Sequence, residues 1–255
     1  MKKIFPSPVS IQTLFGFHAI RVRYKTAPET ILEVYFDQTR RDQRMRDFLQ
    51  KLEGASLRLI ESDDDALHKI CGTSNHQGVV ARVKPLQLSR SLDGTLETFA
   101  ASELMLLVLD GVTDPHNLGA CLRVADGAGA QAVIAPKDHA VGINATVSKV
   151  ASGAAETVPY FMVTNLARTL NELKERDIQI IGTSDNAQKS IFDLDLTGPV
   201  AWVFGAEGQG MRQLTRKTCD QLVYLPMRGA VESLNVSVSS AICLYETLRQ
   251  RQSPG

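Results

Sequence analysis

Five short, strongly apolar runs constrain the fold most: LMLLVL at 104–109, AVIA at 132–135, IQIIG at 178–182, VAWVF at 200–204 and LVYLP at 222–226. A strand with one wet face alternates apolar and polar residues, and these runs do not. Both of their faces must therefore be covered, as in a parallel sheet between helical layers. Helical segments lie between most of the runs, so the region from residue 103 onward reads as β-α-β. In such sheets ligands collect outside the carboxyl ends of the strands. Three loops at those ends are rich in small and polar residues: DGVTDPHNLGACLR after 104–109, GAEGQGM after 200–204 and MRGAVESLNVS after 222–226.

The first part of the chain has a different rhythm. GFHAIRVRYK reads as a helix, TILEVYF as a strand, RRDQRMRDFLQKL as an amphipathic helix and SLRLIES as a strand. DDDALHKIC carries acidic residues at its start, which suits a helix N-terminus. GVVARV closes the unit as a strand. Residues 84–102 lose the pattern and contain Pro85 and Gly94. The expected division is a domain over 1–84, a linker over 85–102 and a second domain over 103–255.

Charge separates the same halves. Net charge is zero overall, but residues 1–84 hold 14 Lys+Arg against 10 Asp+Glu, and residues 103–255 hold 13 against 16. The +4 of the first half, with RVRYK and RRDQRMR in it, fits a surface that meets a polyanion. A solvated helix face is the plainer reading of charge alone. No apolar run is long enough to span a bilayer. MKKIFPSPVS has no apolar stretch behind its two lysines, so no signal peptide is expected there. Cys71, Cys121, Cys219 and Cys243 are scattered, without CxxC or Cys/His spacing for zinc. A reduced, cytoplasmic protein without a metal is expected.

The loops are unusual in detail. Gly205, Gly208 and Gly210 let the backbone turn tightly and approach a ligand, but GAEGQG lacks the spacing and the place of the dinucleotide fingerprint. Glu207 among these glycines stands out, with a capping role as its plainer reading. Asn117 and Arg123 are six residues apart, and they converge only if Asn117 lies in the loop and Arg123 reaches back. Arginine grips phosphate or carboxylate with a planar fork. From SLNVSVSSAICLYE onward, Leu234, Val238, Ala241, Tyr245 and Leu248 recur at helical spacing and predict a buried helix face, with Ser233 as the N-cap.

Together DPHNLGACLR, VFGAEGQGM and LPMRGAVESLNVSVSSAICLYE resemble the three signature motifs of the SpoU/TrmH branch of the SPOUT methyltransferases. GFHAI and NHQGVVARV resemble the small substrate-binding domain that precedes the catalytic domain in this branch. The resemblance implies an α/β fold: a small N-terminal α/β substrate-binding domain, then a trefoil-knotted, mostly parallel sheet. It implies transfer of a methyl group from S-adenosylmethionine to a guanosine ribose 2′-hydroxyl in 23S ribosomal RNA, with transfer RNA as the runner-up substrate and a non-catalytic RNA-binding protein as the rival of another class. Arg123 matches the catalytic arginine, and Asn117, Glu207, Ser233 and Asn235 match positions that orient it and the ribose. Gly205, Leu225 and Leu234 match positions that hold the cofactor. A homodimer, with Arg123 shared across it, is also implied.

Overall fold

A computed structural model describes residues 11–53, 57–84 and 91–252 of the chain. They form two compact units, Met1–Gln87 and Leu88–Gly255. In the first unit the elements are β1 (Gln12–Phe15), α1 (Phe17–Thr26), β2 (Ile31–Asp37), α2 (Gln43–Glu53), β3 (Leu59–Ser62), α3 (Asp64–Cys71) and β4 (Val79–Val83). The sheet order is β1-β4-β2-β3. β4 is antiparallel to β1 and β2, and β2 is parallel to β3. Phe17, Ile20, Met45, Phe48 and Leu52 recur at helical spacing on α1 and α2 and pack with Val34, Val79 and Ala81 of the sheet. Asp63 Oδ1 accepts the Ala66 N–H at 2.7 Å and caps α3, and Gly72 ends it with φ 71°. The four-residue β1 has no expectation matched to it, because QTLF is too short for a period to register.

The second unit holds α4 (Leu92–Leu96), β5 (Met105–Asp110), α5 (Pro115–Ala128), β6 (Ala132–Pro136), α6 (Ala145–Ala151), β7 (Tyr160–Val163), α7 (Leu166–Lys174), β8 (Gln179–Thr183), β9 (Lys189–Ser190), β10 (Val200–Gly205), α8 (Gln213–Thr218), β11 (Gln221–Tyr224) and α9 (Val236–Gln252). Its seven strands run in the order β7-β6-β5-β10-β8-β11-β9, every neighbouring pair parallel. Alternate residues of the apolar runs feed two cores. Leu107, Leu109, Trp202 and Phe204 meet α5 and α9 on one face. Leu106, Val108, Ala201 and Val203 meet α7 on the other. Part of the expected linker belongs to this second core, since Leu92 and Leu96 of α4 pack there; Pro85–Arg90 lie outside the described residues.

Helix α9 departs from expectation twice. It starts at Val236, and its cap is Asn235 rather than Ser233: the Asn235 carbonyl accepts the Ser239 N–H at 3.0 Å, and Asn235 Oδ1 accepts the Ser237 N–H at 2.9 Å. Its buried face is also rotated. Val236, Ser240, Cys243, Leu244 and Thr247 point inward, while Val238 and Tyr245 of the expected apolar face are 46% and 49% exposed. Small residues set this: the Ser240 hydroxyl is buried against α5, 3.9 Å from Cys121 Sγ. No helix among the described residues is long and apolar enough to cross a membrane.

Candidate active site

β5 and β10 lie side by side, with Gly205 opposite Asp110 at their carboxyl ends. Beyond Gly205 the chain curls back on itself. The Gly210 N–H donates to the Ala206 carbonyl at 2.8 Å, and Gly208 and Gly210 hold φ of 77° and 68°. A Cβ on Gly205 would stand 2.0 Å from the Gly210 carbonyl carbon and 2.1 Å from the Met211 nitrogen. Glycine at 205 is thus required by the loop's own backbone.

A buried ion pair ties this loop to β5. Arg212 donates from its backbone N–H to Asp110 Oδ2 at 2.9 Å and from Nε to Oδ1 at 2.7 Å. The Asp110 side chain is fully buried, while that of Arg212 is 47% exposed. Removing the arginine strands a buried carboxylate, which costs about 3–5 kcal/mol in a fully buried pair and less where one partner meets water. Neither residue was singled out from the sequence. The signal was available in LMLLVLD, where a charge at the end of a buried strand needs a partner.

Three of the expected site residues meet around this loop. Asn117, in the first turn of α5, donates from Nδ2 to Glu207 Oε1 at 3.1 Å. Asn235 Nδ2 donates to Asn117 Oδ1 at 2.9 Å and to Glu207 Oε1 at 2.6 Å. The Asn235 Oδ1 is taken up by the Ser237 N–H and hydroxyl. Both faces of that amide are therefore specified, and its orientation is fixed by its partners. The trio joins the first turn of α5, after β5, to the loops that follow β10 and β11. Glu207 Oε2 has no hydrogen-bond partner among the described residues.

Two clefts adjoin the trio. The first, about 680 Å³, is lined by the expected cofactor residues Gly205, Leu225 and Leu234, and also by Glu207, Ser233 and Asn235. Leu225 and Leu234 are half-buried. From Pro226 to Leu234 the backbone makes no backbone–backbone hydrogen bond among the described residues, so its polar groups remain open. Apolar side chains with open backbone donors and acceptors suit a nucleoside. The second cleft, about 500 Å³, is lined by Asp114, Asn117, His139, Glu207, Gln209 and Arg212. Glu207 lines both.

Arg123 is not brought into the trio. It is exposed on α5, and its guanidinium has no hydrogen bond or ion pair among the described residues. Asn117 sits within the helix rather than in the loop, and six residues of helix separate the two by about 9 Å along the axis. Ser233 lines the first cleft without bonding to the trio. Cys121 and Cys243 lie beneath, and their chemistry is inert: burial pushes the Cys121 thiol up to about 12 and raises that of Cys243 as well.

The family model described as "SpoU rRNA Methylase family" matches residues 104–245, and "RNA 2'-O ribose methyltransferase substrate binding" matches residues 13–89. A protein of Ralstonia nicotianae named 23S rRNA (guanosine-2'-O-)-methyltransferase RlmB is 60% identical over 93% of this chain and 95% of its own. A protein of the same name from Vibrio vulnificus is 51% identical over 95% and 98%. Among solved structures, an RNA 2'-O ribose methyltransferase is similar with a TM-score of 0.75 and 28% identity, covering 94% of this chain and 89% of that one. AviRb from Streptomyces viridochromogenes, solved with AdoMet, shares the fold with a TM-score of 0.73 at 24% identity, covering 96% and 92%. The chain belongs to the SpoU rRNA methylase family.

Proposed function

We propose that the protein transfers a methyl group from S-adenosylmethionine to a guanosine ribose 2′-hydroxyl in 23S ribosomal RNA. The observation that carries this reading is the trio Asn117, Glu207 and Asn235, bonded together where the two clefts meet. Relatives at 51% and 60% identity over nearly the whole chain carry the name of that activity. The first cleft would hold the cofactor through Leu225, Leu234 and the open backbone of 226–234. Bound there, S-adenosylmethionine supplies the methyl group from its electrophilic sulfonium.

The acceptor hydroxyl is a weak nucleophile, so the site must draw off its proton and stabilise the oxygen's growing charge. Asn117 and Asn235 fix Glu207 Oε1 and leave Oε2 to accept a further donor at the cleft edge. A guanidinium is a poor base but a strong charge stabiliser and phosphate grip, which is the role of Arg123. Arg123 is exposed and makes no bond to the trio of its own protomer, which supports Arg123 of a second copy in that role. The exposed Val238 and Tyr245 on α9, the helix that packs on α5, offer that copy an apolar face. Residues 1–84 are the RNA-engaging domain and 103–255 the catalytic one. Four free cysteines suit the reducing cytoplasm.

Mixing two single variants tests the arrangement. Arg123→Ala retains cofactor affinity and loses about a hundred- to a thousandfold in methyl transfer, the usual cost of one preorganised donor. Asn235→Ala disrupts the trio. If Arg123 acts across the dimer, the two variants mixed and re-annealed contain one intact site per heterodimer and recover activity. No recovery, or a fully active monomer in sedimentation, refutes the shared site.

A further inference from the structure

Three arginines of the first unit converge on one buried ring. The guanidinium carbons of Arg44, Arg40 and Arg21 lie 4.5, 5.1 and 5.9 Å from the centroid of Phe17. Arg21 is also 5.9 Å from the Phe48 ring. Phe17 and Phe48 are fully buried and meet edge to face at 5.1 Å and 87°, so the platform is fixed by the core. Arg40 is held from two sides, by Asp42 and by the Gln77 carbonyl, which accepts from Nη1 at 2.5 Å. The other two are not held. The guanidinium of Arg44 has no hydrogen bond or ion pair among the described residues, and Arg21 Nε is buried without a partner.

Lying over an aromatic ring stabilises each guanidinium modestly. It does not remove their mutual repulsion. The three charges are gathered within roughly a Debye length, about 10 Å at 0.1 M salt, and among the described residues the one ion pair they make is Arg40 with Asp42. Such an arrangement gains most from an added anion. The terminal nitrogens of Arg21 and Arg44, beside the Phe17 ring and without hydrogen bonds among the described residues, match phosphate oxygens.

We infer that Arg21, Arg40 and Arg44 form a phosphodiester cradle that grips the backbone of the substrate RNA. This deepens the proposed function and rests on its RNA substrate. The cradle sorts the basic helix sharply. Arg41 and Arg46, on the same segment, lie outside it: Arg46 donates to the Arg41 carbonyl and to Gln43 Oε1, and Arg41 has no contact with Phe17 among the described residues. A merely basic helix face would use all four alike.

The test measures binding of the full-length protein to protein-free 23S ribosomal RNA over a salt series, with S-adenosylhomocysteine present. Arg44→Ala is expected to weaken binding and to lower the slope of log affinity against log salt by about one, the signature of a lost phosphate contact. Arg21→Lys, which keeps the charge and the fold but not the fork, should weaken binding with a smaller change in slope. Arg41→Ala and Arg46→Ala should bind as the wild type. Arg44→Ala should raise the KM for RNA by a larger factor than it lowers kcat. Equal losses in Arg41→Ala and Arg44→Ala would overturn the cradle, as would normal binding by Arg44→Ala at every salt. A loss confined to assembled ribosomal particles, with bare RNA bound normally, would also overturn it and point to an acidic protein surface. Failure of the wild type to methylate any RNA would sink the proposed function instead, while the binding comparison would still judge the cradle.

Discussion

Gly205→Ala should collapse the candidate site while sparing most of the sheet. The added Cβ falls 2.0, 2.1 and 2.4 Å from the Gly210 carbonyl carbon, the Met211 nitrogen and the Gly210 oxygen. These are backbone atoms of one peptide, so no rotamer change relieves the overlap. Carbon contacts settle near 3.5–4.0 Å, so that peptide must move by roughly 1.5 Å. The shift strains the Gly210–Ala206 hydrogen bond and pulls on Arg212, which is anchored to buried Asp110. Overpacking costs about 1–3 kcal/mol, and the lost backbone bond adds about 1. A total of about 3 kcal/mol corresponds to roughly 6–12 °C in Tm for a unit of this size. Gly208→Ala is the control. Nothing lies within 4 Å of its added Cβ, so only its left-handed φ of 77° is penalised, by about 1–2 kcal/mol. Thermal melts and titration with S-adenosylhomocysteine compare the two variants. Equal Tm and equal ligand affinity in both would refute close packing of the loop over Gly205.

Two further outcomes follow from burial. At pH 8 a thiol reagent should label Cys71 alone in the native protein, because burial holds Cys121 near 12 and Cys219 near 11 and raises Cys243 too; rapid labelling of a second thiol would contradict this. Since unfolded thiols ionise first, near pH 8.5, these raised values make the cysteines' contribution to stability fall as pH rises from there towards 11–12, which denaturant titrations across that range would measure. Thr247→Val leaves the buried Trp202 indole N–H without its 2.9 Å acceptor, and should cost about 1–3 kcal/mol with a shift in the emission of the only tryptophan; unchanged stability and emission would show that the bond contributes nothing.

The sheet was legible because LMLLVL and VAWVF cannot be wetted on either face. β7 and β9 were not, being a four-residue and a two-residue strand at the sheet's two edges. The loops at the strand ends stood out by composition, and the meeting of Asn117, Glu207 and Asn235 follows from the strand order, which periodicity does not reveal. Helix α9 shows the opposite case. Its apolar periodicity was real, yet Ser240 and Thr247 face inward and Tyr245 outward, because tight packing on α5 favours small side chains over apolar ones. The Asp110–Arg212 pair was half legible: a carboxylate closing a buried strand calls for a cation, but nothing in the sequence names a residue 102 positions away as its partner.

Methyl transfer from isotopically labelled S-adenosylmethionine to protein-free 23S ribosomal RNA, to ribosomal particles and to transfer RNA, with the labelled nucleoside identified after digestion, tests the proposed reaction. Label is expected in 2′-O-methylguanosine from the ribosomal RNA, alone or in particles, and none in transfer RNA. Label on a base, label confined to transfer RNA, or no transfer to any of the three would contradict it.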